Sequence, residues 1–424
     1  APEPPPPRPR QGHNWLGQGA TIIDAMSTLA VMGELDEFKK AAEWVKNDLH
    51  FENKGDVSFF ETTIRVLGGI LSAYEFSCDL YGCDQGLLDK AKDIGNRLAK
   101  AFNTPSGLPL ATINLQSGHG STPGWTGGAA ILAEVGTVQL EFGALSRYTK
   151  DPSYEQMALK AFRVIEAAGK PNHGLMPLYI DVNSGHFTTN HVSLGAMGDS
   201  AFEYLLKTWV QRGRKDAWLK AMYDEATKGI LEHLIQTSGS GHVFVAESKG
   251  GSLILKMDHL ACFVGGMFVL GAKHSDDPEA HLKAAKGIGE TCYQMYARMA
   301  SGVAPENVDF NSGDLQAGAS YNIQRPEAVE TFFYLWRATK DPIWREHGWK
   351  VFQAFERCCK VASGGYVGVR DVRQGNPPLD DTQQTFWLAE TLKYLYLLFS
   401  DDSAIPLDKY VFNTEAHPLK IWTD

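Results

Sequence analysis

Between residues 59 and 74 the chain reads FFETTIRVLGGILSAY. Apolar side chains recur on every side of a 3.6-residue period, and only Glu61 and Arg65 carry charge. The stretch therefore predicts a helix buried all round, not one lying on a surface. The next periodic stretch, 87–102 (LLDKAKDIGNRLAKAF), has one charged face and one apolar face, as a surface helix does. The same alternation extends along the chain. Buried-type runs fall at 20–33, 58–76, 133–148, 199–210, 258–272, 327–339 and 385–399, and surface-type runs at 36–49, 87–102, 152–168, 216–234, 281–300 and 342–360. Glycine, proline and aspartate clusters separate them. Inner helices alternating with outer ones predict an all-α closed toroid. A complete ring of this kind wants one more outer helix, and it would have to precede Thr21. There the chain has APEPPPPRPR instead, so residues 1–16 read as a proline-rich linker or stem remnant and 17–424 as a single domain with its first outer helix missing.

Composition narrows the function. The chain has 424 residues, 43% of them hydrophobic and 21% charged, enough for a large core. A net charge of −10 argues against a nucleic-acid partner, which needs a basic face. No uninterrupted apolar run is long enough to span a bilayer. The six cysteines have no zinc-site spacing; an even count permits disulfides without deciding their pairing. No HExxH, GxxxxGK[ST], EF-hand or GxSxG motif is found.

A lone ionisable residue sits near the start of most buried-type helices: Glu61, Glu141, Asp199, His259, Glu327 and Glu390. In a toroid these would converge on one end of the central cavity. Isolated buried carboxylates cost several kcal/mol, roughly, unless protons, a cation or a polar ligand compensate them. Some of these residues have plainer readings. Glu61 and Arg65 could be an i,i+4 pair, although so apolar a run is a poor place for one. Arg325-Pro326-Glu327 could simply open a helix, with Glu330 on the same face. Asp199 could be an N-cap, and His259 a hydrogen-bonded core histidine. Glu141 and Glu390 have no capping explanation. Residues 410–418 alternate and then turn, as a C-terminal hairpin would. Taken together, the residues suggest a carboxylate-rich toroid acting on a hydroxyl-rich ligand. Paired acids, one protonated and one ionised, suit glycoside hydrolysis, and some of the Trp and Tyr residues would offer stacking faces to a sugar.

These segments resemble the class I α-1,2-mannosidases, glycoside hydrolase family 47. The resemblance runs from about Gly17 to Trp422. It is carried by 59–74, QLEFGALSR (139–147), GDSAFEYLLK (198–207), KMDHLACF (256–263), RPEAVETFFYLWR (325–337), GGYVGVRDV (364–372), FWLAETLKYLYLLFSDD (386–402) and VFNTEAHPL (411–419), in the family's order. It implies an (α/α)7 barrel plugged at one end by a C-terminal β-hairpin. It implies catalysis with inversion, trimming high-mannose N-glycans on glycoproteins. Glu61 would be the general acid, with Asp199 a rival for that role, and Glu327 the base that activates water. Arg65, Glu141, His259, Arg325, Glu330, Phe386, Glu390 and Glu415 would line the sugar-binding floor. Thr414 would bind Ca2+ through its carbonyl and hydroxyl oxygens, the other positions falling to water and sugar hydroxyls, as calcium's demand for six to eight oxygens allows. Cys262 and Cys292 would form a disulfide, which implies an oxidising lumen.

The resemblance also bears on subtype. Endoplasmic-reticulum members carry Arg two residues before the catalytic Asp, where this chain has Met197. That favours the Golgi group, with trimming of Man9 and Man8 toward Man5. A monomer is expected, anchored as a type II membrane protein only by a segment outside this chain. The family's AWG-like first helix is missing, and Ser27 replaces the second Asp of its DALDTL motif. The rival function is a glycan-binding quality-control relative with little turnover.

Overall fold

The structure, a computed structural model, describes residues 17–52, 55–169 and 173–423. The expected ring is present. Its inner helices are Ala20–Met32, Gly68–Leu80, Gln139–Thr149, Asp199–Gln211, Phe263–Ala272, Glu327–Thr339 and Leu392–Phe399. Each packs on the next, and the last packs back on the first, closing an α/α barrel. The outer helices Leu35–Asn47, Gln85–Leu98, Ser153–Ala167, Ala217–Gly229, Pro278–Ala297 and Ile343–Cys358 wrap it. Among the described residues there are six outer helices to seven inner ones. The linker expected at residues 1–16, and with it the place of a further outer helix, lies outside the described residues.

The two kinds of helix differ as their sequences predict. In Leu35–Asn47 only Phe38, Ala42 and Val45 are buried, at i, i+4 and i+7. In Asp199–Gln211 every residue from Ser200 to Gln211 is buried. Four of the inner runs are less regular than their periodicity suggests. The run 133–148 breaks into Leu132–Gly136 and Gln139–Thr149. Gly136 lies so close to Ala201 that a side chain there would come within 2.6 Å of its Cβ, so the chain turns where glycine permits contact. The run 258–272 begins as a strand, Lys256–Asp258, and a 3₁₀ turn, His259–Cys262, before its α-helix. The run 58–76 opens with Phe59–Glu61 and then widens into a π-helix, Thr62–Leu67; Trp387–Thr391 is π-helical too. Such insertions shift a side chain around the helix axis and recur at functional sites.

The barrel's two ends are built differently. At one end, inner helices pass to outer ones through the short turns 33–34, 81–84, 150–152, 212–216, 273–277 and 340–342. At the other, the return connections are long and carry small antiparallel ladders, such as Asp56–Ser58 on Thr112–Asn114 and Lys256–Asp258 on Asn307–Asp309. Every inner helix starts at this long-loop end.

The predicted hairpin, Tyr410–Phe412 paired with Pro418–Lys420, plugs the bore. Phe412 packs against Phe333 and Tyr394 of two inner helices. Its turn is fixed by Asn413, whose Oδ1 accepts from the backbone of Glu415 and His417, while its Nδ2 donates to the Ile64 carbonyl. Gly68 makes room for that amide: a Cβ there would lie 2.6 Å from Asn413 Nδ2. Two disulfides are formed, Cys262–Cys292, the pairing the resemblance implies, and Cys78–Cys83; Cys358 and Cys359 are free and buried. No helix among the described residues is long and apolar enough to cross a membrane.

Candidate active site

The first turns of the inner helices and the hairpin tip enclose a cleft of about 310 Å³. Glu61, Arg65, Asp199, Arg325, Glu327, Phe386, Glu390, Thr414 and Glu415 all line it. Residues from five separate motifs thus meet at one place, the long-loop end of the bore.

On one side the Arg65 guanidinium is the hub. Its Nε donates to Glu61 at 2.8 Å and its Nη1 to Thr385 at 3.1 Å; it also pairs with Glu415 and with the fully buried Asp24. The Phe386 ring lies beside it, 5.7 Å from the guanidinium carbon. The local i,i+4 reading of Glu61 and Arg65 is thus correct as far as it goes, but the pair belongs to a larger buried network. The backbone N–H of Glu61 is capped by Ser58 Oγ, which fixes the start of the helix.

Across the cleft, His259 Nδ1 sits 2.9 Å from Glu327 Oε2, and its Nε2 sits 2.9 Å from the Tyr296 hydroxyl. Arg325, held by Glu306, lies 4.0 Å from Glu327. Burial alone would raise the Glu327 carboxyl; the His259 hydrogen bond and the Arg325 charge outweigh it and hold the group below its ordinary value. Asp199 is treated oppositely. Burial pushes it up to about 7, and the charges of Glu203 and Glu327 add to the rise against a bond from the Ser200 N–H at 2.8 Å. That bond joins adjacent residues and is not a cap: Gly198 is the N-cap, without a side-chain hydrogen bond, and Asp199 is the first residue of the helix, so the N-cap reading of Asp199 does not hold. Burial followed by crowding with other carboxylates drives Glu390 well above the usual range: Glu415, Glu327 and Glu330 all face it.

Three of the residues expected on the floor stand one layer behind it. Glu141 is fully buried; its Oε1 accepts from Tyr204 at 2.6 Å and from Asn413 at 2.8 Å. Glu330 accepts from Tyr394 at 3.3 Å and faces Lys207 at 3.8 Å. His259 reaches the cleft through Glu327. Their contacts tie the hairpin tip, the bore and the cleft wall together.

Residues 6–421 match glycosyl hydrolase family 47. The chain belongs to that family. It is 47% identical, over 98% of its length, to mannosyl-oligosaccharide 1,2-alpha-mannosidase MNS1 of Arabidopsis thaliana, of which it spans 74%. To mannosyl-oligosaccharide 1,2-alpha-mannosidase IB of Mus musculus it is 45% identical over 98% of its length, spanning 66% of that protein. Its fold matches the solved structure of alpha-1,2-mannosidase from Trichoderma reesei with a TM-score of 0.88 at 29% identity, covering 96% of this chain and 91% of the other. The family resemblance read from the motifs and the α/α barrel read from helix alternation therefore agree.

Within this family-47 cleft the structure adds residues that the sequence reading passed over. Glu134, on the short helix Leu132–Gly136, lines the wall; burial, and then the Glu61 charge, push it up to about 7. Its Oε2 is buried without a hydrogen-bond partner among the described residues, as is Glu141 Oε2. The signal was available, since Glu134 is a lone acid in the apolar run 129–138. Glu306 holds Arg325 and also accepts from the Ile323 N–H at 3.1 Å. It sits in a loop, where no periodicity could single it out.

Proposed function

We propose that this chain is an inverting, calcium-dependent exo-α-1,2-mannosidase that trims high-mannose N-glycans. The observation that carries the reading is the divergence of two carboxyl groups in one cleft, with Asp199 held protonated up to about 7 and Glu327 held ionised. Environments that push two acids apart in this way assign the acid and the base. Glu327, oriented by His259, takes a proton from water as the water oxygen bonds to the anomeric carbon. As the glycosidic bond breaks, an acid protonates the departing oxygen, and the sugar leaves with inverted configuration. Of the two candidates for that acid, Asp199 carries the proton near neutral pH, whereas Glu61 already accepts a hydrogen bond from the Arg65 guanidinium. We therefore give proton delivery to Asp199 and place Glu61, with Arg65, on the sugar. Phe386 and Arg325 complete the walls that orient the ring.

The donors around Thr414 suit Ca2+. Glu390 and Glu415 are hard oxygen donors beside the hairpin tip, and they crowd one another in a way a divalent cation would relieve even with Arg65 paired to Glu415. Among the described residues no three His, Cys, Asp or Glu side chains form a metal cage, so Thr414 would hold the ion with water and sugar oxygens, and the carboxylates would hold that water. When bound, Ca2+ supplies a fixed double positive charge against which sugar hydroxyls are held.

Met197 at the cleft wall favours the broad specificity of the Golgi group, toward Man5, and the two disulfides suit the oxidising lumen of the secretory pathway. Mannose release from Man9GlcNAc2, with Ca2+ and then with EDTA, tests the proposal. Calcium-dependent release continuing to Man5 is expected. A clean stop after one mannose would contradict the subtype, and glycan binding without release would favour the quality-control binder.

A further inference from the structure

Trp125 is the most exposed large apolar side chain among the described residues, at 67%. An indole so exposed gains nothing for folding, yet its backbone is firmly fixed. It is the middle residue of a 3₁₀ turn, Gly124–Thr126, followed by Gly127 and Gly128 with φ of 71° and 88°. The single hydroxyl proton of Thr126 is shared between the carbonyls of Pro123 and Ala129, 2.7 and 2.6 Å from its Oγ1, and Thr122 Oγ1 donates to the Gly128 carbonyl at 2.8 Å. The loop is built to hold a ring in the solvent.

The ring is not isolated. It meets Tyr179 edge-on, with centroids 6.0 Å apart. Tyr179 pairs across a two-stranded ladder with Ile131, which lines the cleft, and its hydroxyl lies 3.6 Å from the sulfur of Met197, which lines it too. Met197 has a φ of 77°, a conformation an unbranched L-residue adopts only when its surroundings impose it, and its carbonyl accepts from the Ala133 N–H at 2.9 Å. From the cleft outward the wall therefore runs Met197, Tyr179, Trp125: an apolar shelf that starts two residues from Asp199 and ends in solvent.

We propose that Trp125 is a carbohydrate subsite, stacking on the apolar face of a pyranose further along the glycan whose terminal mannose occupies the cleft. An indole offers a large rigid apolar face with a polar N–H at its edge, which matches a sugar ring with hydroxyls around its rim. The ligand class is thus a branched mannose oligosaccharide, and the shelf makes binding depend on glycan size. This inference rests on the mannosidase reading.

The test compares Man9GlcNAc2 with the disaccharide α-1,2-mannobiose. Trp125→Ala should raise KM for Man9GlcNAc2 about tenfold, with kcat retained, and this loss should be several-fold larger than any loss on mannobiose. Trp125→Phe should restore most of it, since the face survives. The side chain is exposed, so folding is not at stake. Equal KM values for variant and wild type on Man9GlcNAc2, or an equal loss on both substrates, would overturn the proposal. Should the wild type cleave neither substrate, the mannosidase reading fails. Calorimetric titration of wild type and Trp125→Ala with Man9GlcNAc2 then decides the shelf by itself: about tenfold weaker binding supports it, and equal binding sinks it.

Discussion

The two ends of the barrel use the same backbone device for different purposes. At the short-turn end, Lys150 and Lys340 adopt left-handed φ of 58° and 55° directly after the helices Gln139–Thr149 and Glu327–Thr339. There the conformation ends a helix and turns the chain into the next one. At the long-loop end, Met197 and Gln324 have φ of 77° and 73°, and each lies just before a cleft carboxylate, Asp199 or Glu327. Charge follows the same division. Outside the bore, pairs such as Lys40–Glu37 are exposed, where solvent screens them and they add little to stability. Inside, Arg65, Lys207 and Lys393 are buried against carboxylates or backbone. The short-turn end thus uses left-handed residues to connect helices and the long-loop end uses them to place side chains, while the bore, unlike the outer surface, holds buried charge.

That contrast can be broken most forcefully in the bore. Lys207, paired with Glu203 and facing Glu330 on an inner helix across the ring, is 2% exposed. Lys207→Met leaves a buried carboxylate without its cation, and urea unfolding should show a loss of about 3–5 kcal/mol. A loss comparable to that of an exposed pair would mean the inner charges are no more committed than the outer ones.

The effect of pH sharpens the functional side. In the proposed mechanism Asp199 must keep its proton to deliver it, and it loses that proton as pH rises through about 7. Glu327 must be ionised and is held below its ordinary value, so it remains competent well into the acid range. The kcat/KM profile should therefore be level through mildly acidic pH and fall about tenfold per pH unit on the alkaline side. A profile flat through pH of about 8 would remove Asp199 from the acid role.

The smallest effect is expected at the connecting end. Lys150 is exposed and left-handed, so Lys150→Gly should stabilise the fold by about 0.5–1 kcal/mol in the same unfolding assay and leave turnover alone.

The ring was legible in the sequence because inner and outer helices differ in how many of their sides are apolar. Glu61, Asp199, Glu327 and Glu390 were legible because each is an acid near the start of a buried-type run, and the structure brings all four to the cleft. What stayed hidden depends on contacts between segments far apart in the chain. The π-helical turns at Thr62–Leu67 and Trp387–Thr391 keep the apolar composition of a regular helix while rotating Arg65 and Glu390. The positions of Glu141, His259 and Glu330 behind the wall follow from Asn413, Tyr296 and Tyr394, which periodicity does not relate to them.

The central claim is that Glu327 is the base of a hydrolase and not merely part of a glycan-binding floor. Glu327→Gln keeps the shape of the side chain and its neighbour His259 but cannot take a proton from water. With Man9GlcNAc2 as ligand, the account predicts that mannose release falls by about 10²–10⁴-fold while calorimetric binding of the glycan persists. Release at the wild-type rate by Glu327→Gln would contradict it.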